Sequence, residues 1–420
     1  MKFNKLQKQF IFLIGLFLFL TLVLNMIPLY HEATSNLLKS ATIPLATVRT
    51  NHTYFTRNVV KRERRDIWKV VPGEDSIVDQ VSFNPKINSD LPPMKILVEH
   101  GVSGWGQQEG KTTFIEHDCN VKNCELVSNP NPSEIYDARM FKEIDLNSYL
   151  VKSMFKETMR TPEQVWIMFG LESPEASPNY EGLDNVINWT ATYRHQSTIV
   201  TPYDKWVPFD SISSSVAQKN SKNYAEGKTK LGAIFVSNCG ASNNRLEYIK
   251  ELKKYMSVDI FGYCGDMECN KNPQNSCFEM LRRDYKFYFA FENANCRDYI
   301  TEKFFMNALR NDVLPVVMGA HPDDYKRVAP PGSFIHIENF KGPEDLAKYL
   351  LKVAADDTEY NKYFQWKETG TFIDTKFWCR ICSMLWDPNR PRLSVSNLNE
   401  WWRGEGICIG PKRWDSVDLK

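Results

Sequence analysis

Between Leu231 and Val353, short apolar runs alternate with amphipathic stretches, and this alternation restricts the chain to few architectures. Leu231 to Val236, Val258 to Phe261, Lys286 to Phe291, Leu314 to Met318 and Phe334 to Ile337 read as strands. Asn243 to Met256, Tyr299 to Leu309 and Pro343 to Val353 read as helices, and Leu246, Ile249, Leu252 and Met256 share one face of the first. Strands separated by helices predict a parallel sheet covered on both faces, with ligands outside the carboxyl ends of its strands. Chemistry is therefore expected in the loops after Val236, Phe291 and Met318. A less regular α/β region precedes this one, with Lys95 to Glu99, Val165 to Phe169 and Ser197 to Val200 as its expected strands. Gly101 to Gly110 is rich in glycine but lacks the spacing of a dinucleotide fingerprint, so it receives no cofactor role.

With 420 residues the chain suits two domains and an appendage. A formal net charge of +1 lacks the basic field that a nucleic-acid partner requires, and none is expected. Lys2, Lys5 and Lys8 precede an apolar run from Phe10 to Leu24, extended past Asn25 by Met26 and Ile27. At ~1.5 Å per residue this run makes a helix of ~27 Å, about the thickness of a bilayer core. Asn25-Met26-Ile27-Pro28 is not the small-residue exit of a cleaved signal, so residues 10–27 are expected to be a transmembrane signal-anchor. The lysines hold residues 1–9 in the cytosol and send the remainder into a lumen. Residues 28–93, polar and containing the cluster Lys61 to Arg65, read as a stem. The expected body is a lobe over 94–220, a second lobe over 221–365 and a cysteine-containing tail over 366–420.

All ten cysteines lie beyond the membrane segment, and an even number in an oxidising lumen points to disulfides. Cys119, Cys124, Cys379 and Cys382 are the leading candidates. Cys379-x-x-Cys382 also has the form of half a zinc site, but the second pair fits that use only loosely; free thiols are the other alternative. No metal ligand set is assigned. Asn51-His52-Thr53 and Asn188-Trp189-Thr190 make Asn51 and Asn188 candidate glycosylation sites.

The most informative stretch is Phe291-Glu292-Asn293 followed by Tyr299-Ile300-Thr301-Glu302-Lys303. Thr301 and Glu302 suit a helix start, where free amides favour an anion. Lys303 offers a point charge for phosphate and Glu302 an acceptor for ribose hydroxyls. The residues alone indicate a phosphorylated ligand at a strand-to-helix junction; the alternative is an ordinary capped helix with solvated charges. Arg245, opening the helix after Ser237-Asn238-Cys239-Gly240, can hold a diphosphate with its guanidinium fork, or be a plain surface residue. Glu172, in Phe169-Gly170-Leu171-Glu172-Ser173-Pro174, is a carboxylate at a strand end. It can serve as a general base or merely cap the turn.

Phe289 to Gly319 resembles the signature segment of the α1,3/4-fucosyltransferases, and the likeness extends from about Ile96 to Cys382. Ser237 to Ala241 and Trp378 to Cys382 are most similar to the branch acting on the N-glycan core. The resemblance implies a GT-B-like α/β fold of two Rossmann-like lobes behind the anchor and stem. It implies GDP-fucose as donor, an N-glycan on a glycoprotein as acceptor, and a lumenal catalytic domain in the Golgi membrane. Asn293, Tyr299, Glu302 and Lys303 are then expected at the donor, Arg245 as a second diphosphate ligand, and Glu172 as the base. No obligatory cofactor is expected. The chain has no Asp-x-Asp, which argues against a metal-clamped diphosphate and leaves Mn²⁺ or Mg²⁺ at most a stimulating role. Two other readings stay open: a Lewis-type enzyme acting on antennal lactosamine or LacdiNAc, and a non-catalytic glycan-binding relative. Asn188 to Arg194 and Thr198 to Tyr203 share the likeness, and their aromatic residues are expected mainly in the core. The tail beyond Ser383, with Trp401 and Trp402, receives no role.

Overall fold

The computed structural model describes residues 66–69, 74–88, 90–131, 133–146, 160–209, 222–268 and 277–417. The expected cytosolic tail, transmembrane segment and most of the stem lie outside the described residues, as do Asn51 and Cys269. Among the described residues, no helix is long and apolar enough to cross a membrane. The chain divides into two compact units, one of residues 1–58 and 102–107, the other of 59–101 and 108–420. Of the first, only 102–107 is described, around a 3-10 turn at Ser103–Trp105.

The second unit is built on two five-stranded sheets, parallel throughout. The first comprises β1 (Met94–Val98), β2 (Cys124–Val127), β3 (Ala138–Lys142), β4 (Val165–Gly170) and β5 (Trp189–Thr192), in the order β2-β1-β3-β4-β5. After β6 (Lys205–Pro208) come β7 (Lys230–Phe235), β8 (Val258–Phe261), β9 (Tyr285–Phe291), β10 (Leu314–Met318) and β11 (Ile335–His336). These last five form the second sheet, in the order β11-β10-β9-β7-β8. Counted from its own first strand, the second sheet repeats the doubly wound order of the first. Winding reverses between β7 and β9, and a crevice outside the carboxyl ends of those two strands is where such sheets bind ligands. A final strand, β12 (Gly370–Ile373), pairs antiparallel with β6.

β9 buries all but one of its residues and β10 buries every one, as strands covered on both faces must. On one face lie the helices Arg245–Leu252 and Pro343–Ala355, packing Ile249, Leu252, Leu346 and Leu350 onto Phe287, Phe289 and Val316. On the other, Leu281, Phe304, Phe305 and Tyr325 meet Tyr288, Ala290 and Val317.

Four disulfides join described cysteines: Cys119–Cys379, Cys124–Cys382, Cys239–Cys264 and Cys296–Cys408. Cys277 is also disulfide-bonded. The first two pin the helix Phe377–Leu385 to β2 and to the segment just before it, so the Cys379-x-x-Cys382 sulfurs serve two separate bridges and are not a zinc half-site.

Three expectations need correction. The stem does not run to residue 93 as a solvated linker. Ile77 and Gln80, on the helix Ile77–Ser82, are buried; Gln80 donates to the Thr198 carbonyl (2.9 Å) and accepts from buried Arg380 (3.1 Å). Trp68 packs on Trp189, with ring centroids 5.3 Å apart. Ser197 to Val200 is a turn, not a strand. It follows β5 closely, but exchanged Thr190 and Thr198 hydroxyl bonds to main-chain amides (3.1 and 3.3 Å) replace part of the ladder. The helix expected at Tyr299–Leu309 begins later and is wider, a π-helix over Lys303–Ala308 running into a 3-10 turn.

Candidate active site

The crevice at β7 and β9 is assembled from main-chain carbonyls and buried polar side chains. Glu292, the first residue after β9, is wholly buried. Its carboxylate accepts from the Thr301 amide (2.8 Å), the Thr301 hydroxyl (2.8 Å) and the Lys303 ammonium (3.1 Å). Gly319, at the end of β10, makes room for this side chain: a Cβ there would lie 2.7 Å from Glu292 Cγ. Lys303 also contacts the Thr301 hydroxyl (2.9 Å) and the Glu302 carboxylate (3.1 Å). Burial alone would pull its ammonium down, but Glu292 and Glu302 outweigh that and hold it above the ordinary lysine range. Glu302 is exposed, so it is the partner Lys303 can most easily release.

Arg245 is not a surface residue: it is 3% exposed and donates to the carbonyls of Phe291 (2.9 Å) and Asn238 (3.2 Å). Burial lowers its proton affinity. Its fork ties the loop after β7 to the end of β9, and Nε is buried without a partner among the described residues. Asn293 Oδ1 is likewise buried and unpartnered among the described residues. Two unsatisfied polar atoms beside one strand-end crevice are what a polar ligand would satisfy. Asn243 braces the same loops, donating to the Glu292 carbonyl (2.9 Å) and to Asn295 Oδ1 (3.1 Å).

Glu172 follows β4 and is exposed. The structure brings it to the loop after β9: the Tyr299 hydroxyl lies 3.4 Å from its carboxylate. Tyr193 donates to the Glu172 carbonyl (3.2 Å) and Tyr203 to the Leu171 carbonyl (2.7 Å). Burial raises all three phenols, which therefore stay protonated and remain donors. The Glu172 amide points at Glu143 Oε1 (3.4 Å), and burial pushes the Glu143 carboxyl up. Across the crevice Glu175 accepts from the Ser242 hydroxyl. Beside Glu172 opens a cavity of about 330 Å³ lined by Lys142, Glu143, Ile144, Phe169, Leu171 and Ser177.

The structure therefore unites Glu172 with Tyr299, and Glu302 with Lys303, while Arg245 contacts the end of β9, which Asn293 follows. Sequence reasoning missed Glu143, Asn243 and the role of Glu292 as a buried acceptor; Tyr193 and Tyr203, expected mainly in the core, do pack there while their hydroxyls hold the Glu172 turn. A carboxylate at the carboxyl end of a parallel strand was the signal for Glu143, hidden because β3 was not recognised. Asn188 is held at both ends of its amide, donating to the Leu393 carbonyl (2.8 Å) and accepting from the Trp166 amide (2.8 Å). The one cluster of potential metal ligands among the described residues is Glu175 with Cys296 and Cys408, and those two sulfurs form a disulfide.

Two parallel, doubly wound five-stranded sheets give the chain an α/β fold, with a polar, partly unsatisfied crevice at the strand ends of the second sheet. Residues 225–401 match the model of glycosyltransferase family 10 (fucosyltransferase), C-terminal part, and residues 96–204 match the fucosyltransferase N-terminal model. The chain belongs to the family 10 fucosyltransferases. It is 42% identical over 363 residues to glycoprotein 3-alpha-L-fucosyltransferase A of Drosophila melanogaster, covering 85% of this chain and 70% of that protein. It is 31% identical over 270 residues to an alpha-(1,3)-fucosyltransferase of Caenorhabditis elegans, covering 62% of each. A solved alpha1,3-fucosyltransferase with GDP-fucose shares 16% identity and a TM-score of 0.46, over 75% of this chain and 97% of that one.

Proposed function

We propose that the chain transfers L-fucose from GDP-fucose, in α1,3 linkage and with inversion, to the innermost GlcNAc of glycoprotein N-glycans. The observation that carries this reading is the approach of Tyr299 to Glu172, 3.4 Å apart, which joins a carboxylate of the first lobe to the strand-to-helix junction of the second. The Drosophila relative's name, a glycoprotein 3-alpha-L-fucosyltransferase, supports the acceptor class.

In this mechanism Glu172 takes the proton from the GlcNAc 3-hydroxyl as that oxygen attacks the anomeric carbon of fucose. The bond from that carbon to the β-phosphate oxygen breaks, and the electron pair leaves with GDP. Lys303, freed from Glu302, neutralises the departing diphosphate while Glu302 turns to the ribose hydroxyls; Arg245 adds positive charge behind them. Asn293 supplies its unpartnered oxygen to the donor. Buried Glu292 holds Lys303 in place throughout, so the cation is preorganised.

The reading includes residues 10–27 as a signal-anchor of a single-pass type II Golgi membrane protein with a lumenal catalytic body. Lys2, Lys5 and Lys8 support that orientation, and the disulfides require an oxidising compartment. The acceptor is tested by offering GDP-fucose with N-glycan core glycopeptides, lactosamine and LacdiNAc. Transfer to the core GlcNAc alone is expected. Transfer to the antennal acceptors alone would establish the Lewis-type reading, and glycan binding without GDP release the non-catalytic one.

A further inference from the structure

The segment 397–414 lies directly behind the reacting groups. Asn397 caps the helix Leu398–Arg403 by accepting from the Glu400 amide (2.8 Å). Leu398 and Trp402 are fully buried, in one apolar cluster with Trp166 and Met168 of the first sheet and with Ala294, Cys296 and Tyr299 of the donor loop. Trp402 packs on Tyr193 (5.6 Å between ring centroids), and Tyr193 packs on Tyr299 (5.2 Å). The Trp402 indole donates to the Ser177 hydroxyl (3.2 Å), which in turn donates to the Ser173 carbonyl (2.9 Å). Arg403 donates to the carbonyls of Ser177 and Pro178. The turn that begins at Glu172 is thus fastened along its length to this helix.

The same segment grips the donor loop. Cys408 is bonded to Cys296, and the Arg297 amide donates to the Ile407 carbonyl (2.7 Å). The Ile409 amide donates to the Asn295 carbonyl (2.9 Å), and the Trp414 indole to the Gly319 carbonyl (3.0 Å). One short stretch therefore holds both the loop carrying Tyr299 and the turn carrying Glu172.

We propose that Trp402 and Arg403 are positioning residues for the transfer step, fixing the Glu172–Pro178 turn against Tyr299. Trp402 acts through Ser177 and Tyr193, and Arg403 through the Ser177 and Pro178 carbonyls. Catalytic efficiency depends steeply on placement, and a shift of ~1 Å can cost about a hundredfold. The inference rests on Glu172 being the base proposed above. A residue serving stability alone would instead lower donor binding, melting temperature and turnover together.

The test uses the full chain with Trp402→Phe, Ser177→Ala and the double variant, and Arg403→Lys as a further substitution. Single-turnover transfer at saturating GDP-fucose, GDP affinity and melting temperature are measured on each. Transfer is expected to slow about tenfold in Trp402→Phe and Ser177→Ala. GDP affinity should stay within about twofold, and the double variant should be no slower than the slower single, because both remove one shared contact. Wild-type transfer rates in Ser177→Ala and Trp402→Phe would overturn the proposal, as would multiplying losses or a parallel fall in GDP affinity. If Trp402→Phe does not fold, Ser177→Ala and Arg403→Lys decide by the same criteria. An inactive wild-type chain would overturn the assigned function and this proposal with it, whereas an active wild type with unaffected variants overturns this proposal alone.

Discussion

Glu172→Gln is expected to bind GDP-fucose like the wild type and to transfer fucose about 10²–10⁴-fold more slowly. Glutamine keeps the length of the side chain and still accepts the Tyr299 hydroxyl, but it cannot take a proton from the acceptor. The turn should persist, because its restraints use the main chain and neighbouring residues: Tyr193 on the Glu172 carbonyl, Tyr203 on the Leu171 carbonyl, and Ser177 on the Ser173 carbonyl. If Glu172 only caps the turn, transfer by the glutamine variant would stay within a few-fold of wild type. Single-turnover transfer and GDP-fucose affinity, measured on the same protein, separate the two cases. Loss of both would also remove Glu172 from the mechanism.

Lys303→Ala should lose ~100-fold or more in transfer rate, since it deletes the cation that offsets charge on the leaving diphosphate. From the sequence, Lys303 would be a cleft residue whose loss spares folding. Its pairing with the fully buried Glu292 carboxylate changes that expectation. Removing one partner of a buried ion pair typically costs about 3–5 kcal/mol, so the alanine variant should also unfold at lower denaturant. Thr301 still donates twice to Glu292, which places the cost toward the lower end. Lys303→Ala/Glu292→Gln, which removes the stranded charge, should recover much of the stability while transfer stays low. Recovery of transfer in the double variant would mean that Lys303 supports the fold and not the chemistry.

The strand-to-helix junction from Glu292 to Lys303 was legible because its polar residues are contiguous. Glu292, Asn293, Tyr299, Glu302 and Lys303 follow a strand so apolar that its end could be located, and ligands of parallel sheets sit at strand ends. The π-helix could not be read there. It follows Thr301, whose amide and hydroxyl both donate to Glu292, a contact made across the loop. The first sheet was harder. β3, Ala-Arg-Met-Phe-Lys, is short and carries two cations that keep intermediate exposure, so neither it nor Glu143 stood out. Ser197 to Val200 has β-branched residues but spends its threonine hydroxyls on local main-chain amides, which favours a turn. The tail was illegible because its contacts reach far along the chain: Cys408 to Cys296, Trp402 to Ser177, Trp414 to Gly319. No local period encodes such partners. The polar composition of residues 28–93 misled in the other direction, since the fold has begun by Trp68 and Ile77.

The central claim is that one cleft unites a base from the first lobe with a GDP-fucose site on the second. It is tested most directly by incubating the chain with GDP-fucose and a core N-glycan glycopeptide, then determining the linkage and anomeric configuration of the product by NMR. The account predicts one fucose in α linkage to O3 of the innermost GlcNAc, with GDP released in equal amount. A β-linked product, or GDP release accompanied only by free fucose, would contradict it.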